Sequence, residues 1–309
     1  MSKKIDSSYD AKVLLREYKF LEKEDFLKNI SEELKKDTFL MDYIEDFYND
    51  DLTLQVLKAK CVTEYDPETD IEKVDSVRLG SYPQSDVTGK EKEPIEWIVL
   101  EKSDNDALLL SKKILDYQPY AISGRYDDGW FDSGLEKWLH KEFLFNAFNR
   151  DEIDKLEEMN IPYQTVSISD DYSCDDDGYE NQCYNIYNLE TKNKITLMSF
   201  EESNKYFCQG LKVVINSKKC KKIATKSTEY AKNICEKSNA EHKYAENEYY
   251  LRDVDVDEQQ TGGYDYDAKI AGVNSVFLAN QYVDKDGGIY FWTNDNILGV
   301  RPMIRIRLK

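Results

Sequence analysis

The sequence predicts an α+β protein: a small helical N-terminal module followed by a larger domain built on antiparallel sheets with flanking helices. Three observations predict it. Residues 1–63 carry apolar side chains at helical spacing, with no Gly or Pro before Pro67. Residues 77–111 read as short strands broken by turn residues. The chain closes on Gly299-Val300-Arg301-Pro302, then alternates Met303, Arg305 and Arg307 with Ile304, Ile306 and Leu308. Alternation at period two marks a strand with one buried face.

In the first segment Leu14, Tyr18 and Leu21 share a face, and Phe26, Ile30 and Leu34 repeat every fourth residue. Phe39, Leu40, Tyr43, Ile44 and Phe47 continue the pattern, and Leu52, Val56 and Leu57 form a last piece with Asp51 as its cap. Three or four amphipathic helices follow. Residues 64–75 are polar and acidic around Pro67, which predicts a linker and the first site of protease cleavage. The main domain then spans 76–309.

Within it, Val77–Tyr82 is a strand ended by Pro83. Ile95–Leu100 and Ala107–Ser111 flank the turn tetrad Ser103-Asp104-Asn105-Asp106 and predict an antiparallel hairpin. Leu135–Phe148 reads as a helix with Leu135, Trp138, Leu139 and Phe143 on one face. Residues 167–190 are acidic and aperiodic, which predicts a surface loop. Ile195–Met198 is a short strand. Ser199 and Glu202 have capping-box spacing at the start of the next helix. Thr228–Cys235 is a short helix, and Tyr249–Arg252, Ser275–Leu278 and Ile289–Trp292 are late strands. Gly299 reads as a turn glycine and Pro302 fixes φ beyond it.

Charge bounds the partners. The chain has 61 acidic and 42 basic residues, a net charge of −19. That opposes phosphate backbones and anionic membrane surfaces, so no nucleic acid and no membrane partner is expected. No apolar run approaches the ~18 residues of a membrane span. The start lacks the apolar core of a signal peptide, so the expected compartment is cytoplasmic. The six cysteines are then expected as thiols. They contain no Cys-x-x-Cys pair, and the chain has only two histidines, so zinc spacing is missing. His140 and His242 are the only imidazoles for a Cys/His nucleophile pair, and His140 sits among helical apolar residues. Gly262-Gly263 lacks the Lys-Ser/Thr of a phosphate loop.

Six short motifs occur in order: Leu79-Gly80-Ser81-Tyr82-Pro83-Gln84, Pro94-Ile95-Glu96-Trp97-Ile98-Val99-Leu100, Trp138-Leu139-His140, Leu197-Met198-Ser199-Phe200-Glu201-Glu202, Tyr250-Leu251-Arg252 and Gly299-Val300-Arg301-Pro302. Their order over 76–309 resembles a bacterial domain-of-unknown-function family with Trp-Leu-Asn and closing Gly-Val-Arg-Pro motifs. His140 stands for the family's usual Asn and Tyr250 for its usual Trp. That family is similar to the C-type-lectin-like fold of formylglycine-generating enzymes and of retroelement variable proteins. The resemblance implies a C-type-lectin-like domain. It does not imply formylglycine chemistry, because no cysteine follows Cys235. Residues 1–63 lie outside it.

Two classes of function follow. The first is a non-catalytic binding protein that presents loops 118–134, 165–190 and 257–296 to a protein or a small polar ligand. These loops are rich in Tyr, Asp, Asn and Gly, residues suited to adaptable recognition. Tyr126, Asp127, Trp130, Tyr264, Tyr266, Trp292, Asn294 and Asp295 are the candidate ligand contacts. The second is an enzyme whose site is assembled from dispersed carboxylates. A further role for 1–63 is docking of a partner helix. No organic cofactor is expected. Asp170, Asp171, Asp175, Asp177 and Glu180 offer oxygen ligands for Ca²⁺, though without EF-hand spacing. The same loop can equally be a solvated acidic surface, or be pinned by a Cys174–Cys183 bridge. Lys218-Lys219-Cys220-Lys221-Lys222 can pair with that loop or face solvent. Arg252 and Arg301 are expected to tie down carbonyl groups.

Overall fold

Two sheets and a separate two-stranded ribbon organise the computed structural model, which describes residues 5, 7–17, 23–49, 51–120, 130–174, 180–208, 221–238, 247–259, 275–286, 289–292 and 297–308. The chain opens with α1 (Ser8–Glu17), α2 (Lys23–Leu27), α3 (Thr38–Asn49) and α4 (Asp51–Lys58). Their apolar stripes are buried: Ala11, Leu15, Phe26, Leu40, Ile44 and Phe47 join Val56 and Val62 in one continuous core with the sheet residues. The helical reading holds for α1, α3 and α4, but not for the Phe26, Ile30 and Leu34 repeat: α2 ends at Leu27, Ile30 bridges Ile5 and Leu34 opens a 3-10 turn, while Tyr18 and Leu21 lie outside the described residues.

Residues 64–75 are not an open tether. They continue through short 3-10 turns at Val62–Glu64 and Ile71–Lys73, and Ile71 and Val74 are buried. Three lysines clasp the chain between Val56 and Val74. Lys102 Nζ donates to the carbonyls of Val56 at 3.1 Å and Leu57 at 3.0 Å, and also to Ala59 O. Lys222 Nζ reaches Val62 O at 2.9 Å and Tyr65 O at 3.0 Å. Lys112 Nζ reaches Glu72 O at 3.1 Å and Val74 O at 3.0 Å. Each ammonium sits where a helical turn ends, which is where exposed carbonyls gather and the turn's dipole favours a cation. Lys222 is fully buried. Lys222→Met is therefore expected to cost about 2 kcal/mol, because two carbonyls lose a charged donor. It should also speed protease cleavage between residues 62 and 75. Unchanged stability and unchanged cleavage there would contradict the clasp.

The first sheet holds β1 (Val77–Tyr82), β2 (Glu93–Lys102) and β3 (Asp106–Ser111). The predicted hairpin is present, and Ser103 N donates to Asp106 O at 2.8 Å across its turn. β4 (Asp116–Pro119) leaves this sheet for the second. The predicted helix follows as α5 (Gly134–Trp138), a π-turn at Leu139–Phe143 and α6 (Leu144–Ala147), then α7 (Arg150–Lys155). After β5 (Leu156–Glu157) come β6 (Met159–Cys174) and β7 (Glu180–Asn193). β8 (Ile195–Leu197) leads into α8 (Phe200–Phe207), capped by Ser199 and Glu202 as the spacing predicted. α9 (Glu229–Ser238), β9 (Tyr249–Gln259), β10 (Ser275–Val283), β11 (Ile289–Trp292), β12 (Ile297–Val300) and β13 (Pro302–Arg307) complete the order.

The first sheet runs β1-β2-β3-β13-β5, with β8 also on β13. The last strand thus lies inside its sheet: Met303–Arg307 pair antiparallel with β3, while β8 and β5 share the other edge. The second sheet runs β11-β10-β9-β12-β4, antiparallel except where β12 meets β9. The free edge of β1 is covered by side chains. Gln55 Oε1 accepts from Arg78 N at 2.9 Å, and Glu152 Oε1 from Gly80 N at 3.1 Å. Such covering protects an edge from adventitious strand pairing.

Two expectations need correction. Residues 167–190 are not a loop: β6 and β7 form a long antiparallel ribbon, and only 175–179 between them lie outside the described residues. A strand's pairing comes from its distant partner, so acidic composition hid an extended segment. The register sets Cys174 opposite Glu180, three positions from Cys183. Three residues of rise put the two α-carbons about 10 Å apart along the strand, beyond the ~7 Å that a disulfide spans. Gly299 is not a turn glycine either. It lies within β12, where an added Cβ would fall 2.6 Å from Glu248 O and 2.6 Å from Ile114 Cγ2. Close approach of another backbone, not a left-handed φ, requires glycine there.

Candidate functional site

The most unusual polar group in the described core is the carboxylate of Asp116. β4 begins at this residue because its backbone pairs with Val300 of β12. β1 ends at Tyr82, whose hydroxyl donates to Asp116 Oδ2 at 2.5 Å. Asp116 Oδ1 accepts from Tyr117 N at 2.7 Å and Gln118 Nε2 at 3.1 Å. The Tyr82 ring is held by Phe143 at 4.9 Å and Tyr230 at 5.9 Å. Behind it, Gly80 takes φ +67°, and an added Cβ would meet Ala147 O at 2.7 Å. β1, β4, the π-turn and α9 thus converge on one buried acid.

All three donors to Asp116 are neutral. Burial pushes its pKa up to about 6, and the hydrogen bonds from Tyr82, Tyr117 and Gln118 offset only part of that rise. Burial and the neighbouring Asp116 charge also push the Tyr82 hydroxyl up. The folded pKa is raised above the unfolded one. Asp116 therefore favours the fold while both states are protonated, and that contribution is lost as pH rises from about 4 through about 6. Two pKa units amount to about 3 kcal/mol. Asp116→Asn keeps an oxygen for Tyr82 and removes the titration. The stability difference between wild type and this variant should shift by about that amount between pH 4 and pH 7, with wild type relatively better at pH 4. Denaturant melts across this range measure it, and a difference flat in pH would refute the assignment.

The other candidate groups are tied to backbone. His140 Nδ1 lies 2.8 Å from Glu136 O; a carbonyl only accepts, so this nitrogen carries the proton. Nε2 then accepts from Asn193 Nδ2 at 3.0 Å, which also donates to Glu136 Oε1 at 2.9 Å. Arg252 Nη1 donates to Leu197 O at 2.7 Å and meets Glu202 Oε2 at 3.3 Å. Asp253 beside it accepts from Phe200 N at 2.5 Å, at the start of α8. Burial raises the Asp253 pKa, against the pull of Arg252. Arg301 is buried and donates only to oxygens of Ser111, Ile223 and Tyr249. The expectation that both arginines tie down carbonyls is met.

Of the candidate ligand contacts, Trp130 is buried and packs edge-on against Tyr120 at 6.4 Å, so it belongs to the core. Trp292 lies on β11, paired with Asn280. Tyr126, Asp127, Tyr264, Tyr266, Asn294 and Asp295 lie outside the described residues. Of the candidate calcium ligands, Asp170 and Asp171 fall where the β6–β7 register shifts, and Glu180 opens β7 opposite Cys174. Asp175 and Asp177 lie outside the described residues. Among the described residues no three His, Cys, Asp or Glu side chains are grouped to hold a metal ion. Also among them, no helix is long and apolar enough to cross a membrane.

Sequence reasoning missed Asp116 because its burial depends on β12, far along the chain. Tyr82, in the Leu-Gly-x-Tyr-x-Gln motif, carried the one available signal. No curated protein and no solved structure matches the chain. A family model does, over residues 104–308, which takes in β4, β9, β12 and β13 but not Tyr82. The chain belongs to the family described as Domain of unknown function (DUF6273).

Proposed function

We propose that this chain is a non-catalytic binding protein: a C-type-lectin-like scaffold, of a bacterial family and acting in the cytoplasm, that displays loops and a ribbon to a protein or a small polar ligand. The observation that carries the reading is the β6–β7 ribbon. It forms a sheet of its own rather than a layer of the core. Its sequence is dense in Tyr, Asn, Ser and Asp, the composition of adaptable recognition surfaces. Its base is anchored, since Ile161, Met159 and Asn193 are buried. The buried polar groups support the same reading. Asp116, Arg252 and Arg301 make their side-chain hydrogen bonds to the protein itself, with Arg252 Nε and Arg301 Nη2 left without a partner among the described residues. In this reading residues 1–63 are an N-terminal helical module on the display domain, and nucleic acid and membrane are not partners.

The test is a thermal-shift panel of calcium, simple saccharides, amino acids and short peptides on the full chain. A parallel variant has residues 166–186 replaced by an Asn-Gly turn. At least one panel member should raise the melting temperature of the full chain and not of the variant, since only a ligand of the folded state stabilises by mass action. A panel silent on the full chain, or shifts equal in both proteins, would overturn the reading. If the variant fails to melt cooperatively, chemical-shift mapping of the full chain replaces it, and changes must centre on the ribbon.

A second reading, an enzyme using dispersed carboxylates, draws on Glu248. Burial and the neighbouring Asp284 push its pKa up to about 7, with Lys285 opposing, so it is poised to exchange a proton. Turnover of an ester, glycoside or phosphate substrate that is lost in Glu248→Gln would favour it.

A further inference from the structure

We propose that the base of the β6–β7 ribbon is a docking surface for a Lys/Arg-rich peptide segment of another protein; this rests on the binding reading above and names its partner. Three side chains from two parts of the chain build the surface. Phe131 is 50% exposed, and its ring stacks on Tyr163 with centroids 5.3 Å apart and planes 22° from parallel. Tyr163 is the cross-strand partner of Leu189, which is 44% exposed. Residues directly opposite in an antiparallel pair project to the same face. Phe131, Tyr163 and Leu189 therefore form one continuous apolar platform, not scattered surface residues. The platform is rigidly founded: Trp130 precedes Phe131 and is buried, and Ile161 two residues before Tyr163 is buried as well.

Charge selects the occupant. From Leu156 to Thr191 the sequence contains no Lys or Arg, while acids recur from Glu157 to Glu190. Asp132 follows Phe131 and is exposed, with Lys137 as its ion-pair partner at 2.7 Å. Glu190 follows Leu189 and Glu158 precedes the ribbon, both exposed. An aromatic face attracts a cation through its quadrupole. The methylene stems of Lys and Arg cover apolar surface while their heads stay in reach of carboxylates. A basic peptide thus meets both halves of the surface. Asp132 and Glu157 are paired within the chain with Lys137 and Arg307, so the acids left for a partner are Glu158 and Glu190; a neutral apolar segment leaves these unanswered, and nucleic acid is repelled by them.

The experiment titrates the full chain into a fluorescein-labelled peptide of alternating Arg and Leu, read by anisotropy at physiological salt, with an alternating Glu and Leu peptide as control. Saturable binding of the Arg peptide alone is expected. Phe131→Ser and Leu189→Ser should each weaken it about tenfold, a difference of ~1.4 kcal/mol. Phe131→Tyr should retain it, because the stacking face survives. Circular dichroism and melts confirm that each exposed-site variant is folded. Equal binding by the Ser variants would reduce the effect to diffuse attraction by the −19 chain and overturn the proposal. So would no binding of the Arg peptide. Concentration-dependent dimers in sedimentation that vanish in Phe131→Ser would assign the platform to a second copy. Binding that appears only after Lys218→Glu and Lys219→Glu would assign it to the chain's own lysine run. Either result removes the proposed partner. A ribbon-dependent shift with a saccharide or calcium but no peptide binding would sink this inference and leave the binding reading standing.

Discussion

Removal of residues 303–309 is expected to abolish the folded state. The deleted strand is not an edge. β13 pairs with β3 on one side and with β5 and β8 on the other, so β5 and β8 lose their ladder and β3 loses one of its two. Met303, Ile304, Ile306 and Leu308 are buried, while Arg305 is half-buried and Arg307 exposed. Four such side chains at about 2 kcal/mol each represent about 8 kcal/mol of burial. That is comparable to the whole stability of an ordinary domain, about 5–15 kcal/mol. The lost ladder adds unsatisfied backbone groups in the interior. Arg305 also bridges Glu101 at 2.9 Å and Asp106 at 2.5 Å, joining β2 and β3 across the sheet. The truncated chain should give no cooperative melt and no near-ultraviolet dichroism. A cooperative transition at the full-length temperature would show that β13 is dispensable.

That strand was legible because its signal is local. The alternation from Ile304 to Leu308 survives in the burial pattern, whereas Met303, on the face of Arg305 and Arg307, is buried as well. The β2–β3 hairpin, the Ser199–Glu202 capping box and β11 were legible for the same reason: each is set by residues within a few positions of one another. What failed depends on distant partners. β6 and β7 read as a loop because their pairing is mutual and acidic residues obscured it. Residues 64–75 read as a linker by composition, yet Ile71 and Val74 enter the core and Lys112 and Lys222 hold the carbonyls of Glu72, Val74 and Tyr65. Nothing in the sequence sets Lys102 and Lys112 apart, and Lys222, read within its lysine run as pairing with the acidic loop or facing solvent, is instead buried on the carbonyls of Val62 and Tyr65. Gly299 was singled out correctly and explained wrongly, since Ile114 and Glu248 crowd it from two other segments. The candidate site behaves alike. Tyr82 was in view within a motif, whereas Asp116 became visible only once β4 was seen to pair with β12.

Arg301→Ala is expected to cost about 4 kcal/mol. The residue is the sole link between β12, in the second sheet, and β13, in the first. Its Nε donates to Ser111 O at 2.8 Å, at the end of β3. Nη1 donates to Ile223 O at 3.0 Å and to the Tyr249 hydroxyl at 2.9 Å, at the start of β9. One guanidinium therefore ties both sheets to the 221–223 turn, and these three contacts are all to neutral oxygens. A delocalised, weakly hydrated cation tolerates such a place better than an ammonium does. The rings of Phe207 at 5.7 Å and Tyr249 at 5.2 Å from its Cζ supply further electrostatic attraction. Alanine removes the donors, takes the guanidinium from Ser111 O while Ile223 O keeps the Tyr249 hydroxyl at 2.9 Å, and leaves a cavity. Arg301→Met fills the volume and should recover less than half of the loss, because Ser111 O stays without its donor and the charged hydrogen bonds to Ile223 and Tyr249 are gone. Arg301→Lys should also fall short, since a single ammonium cannot span Ser111 and Tyr249 as the planar fork does. Denaturant midpoints of the three variants order them. Lys as stable as Arg would show that charge alone suffices, and Met as stable as Arg would show that packing alone does; the geometry requires that neither holds.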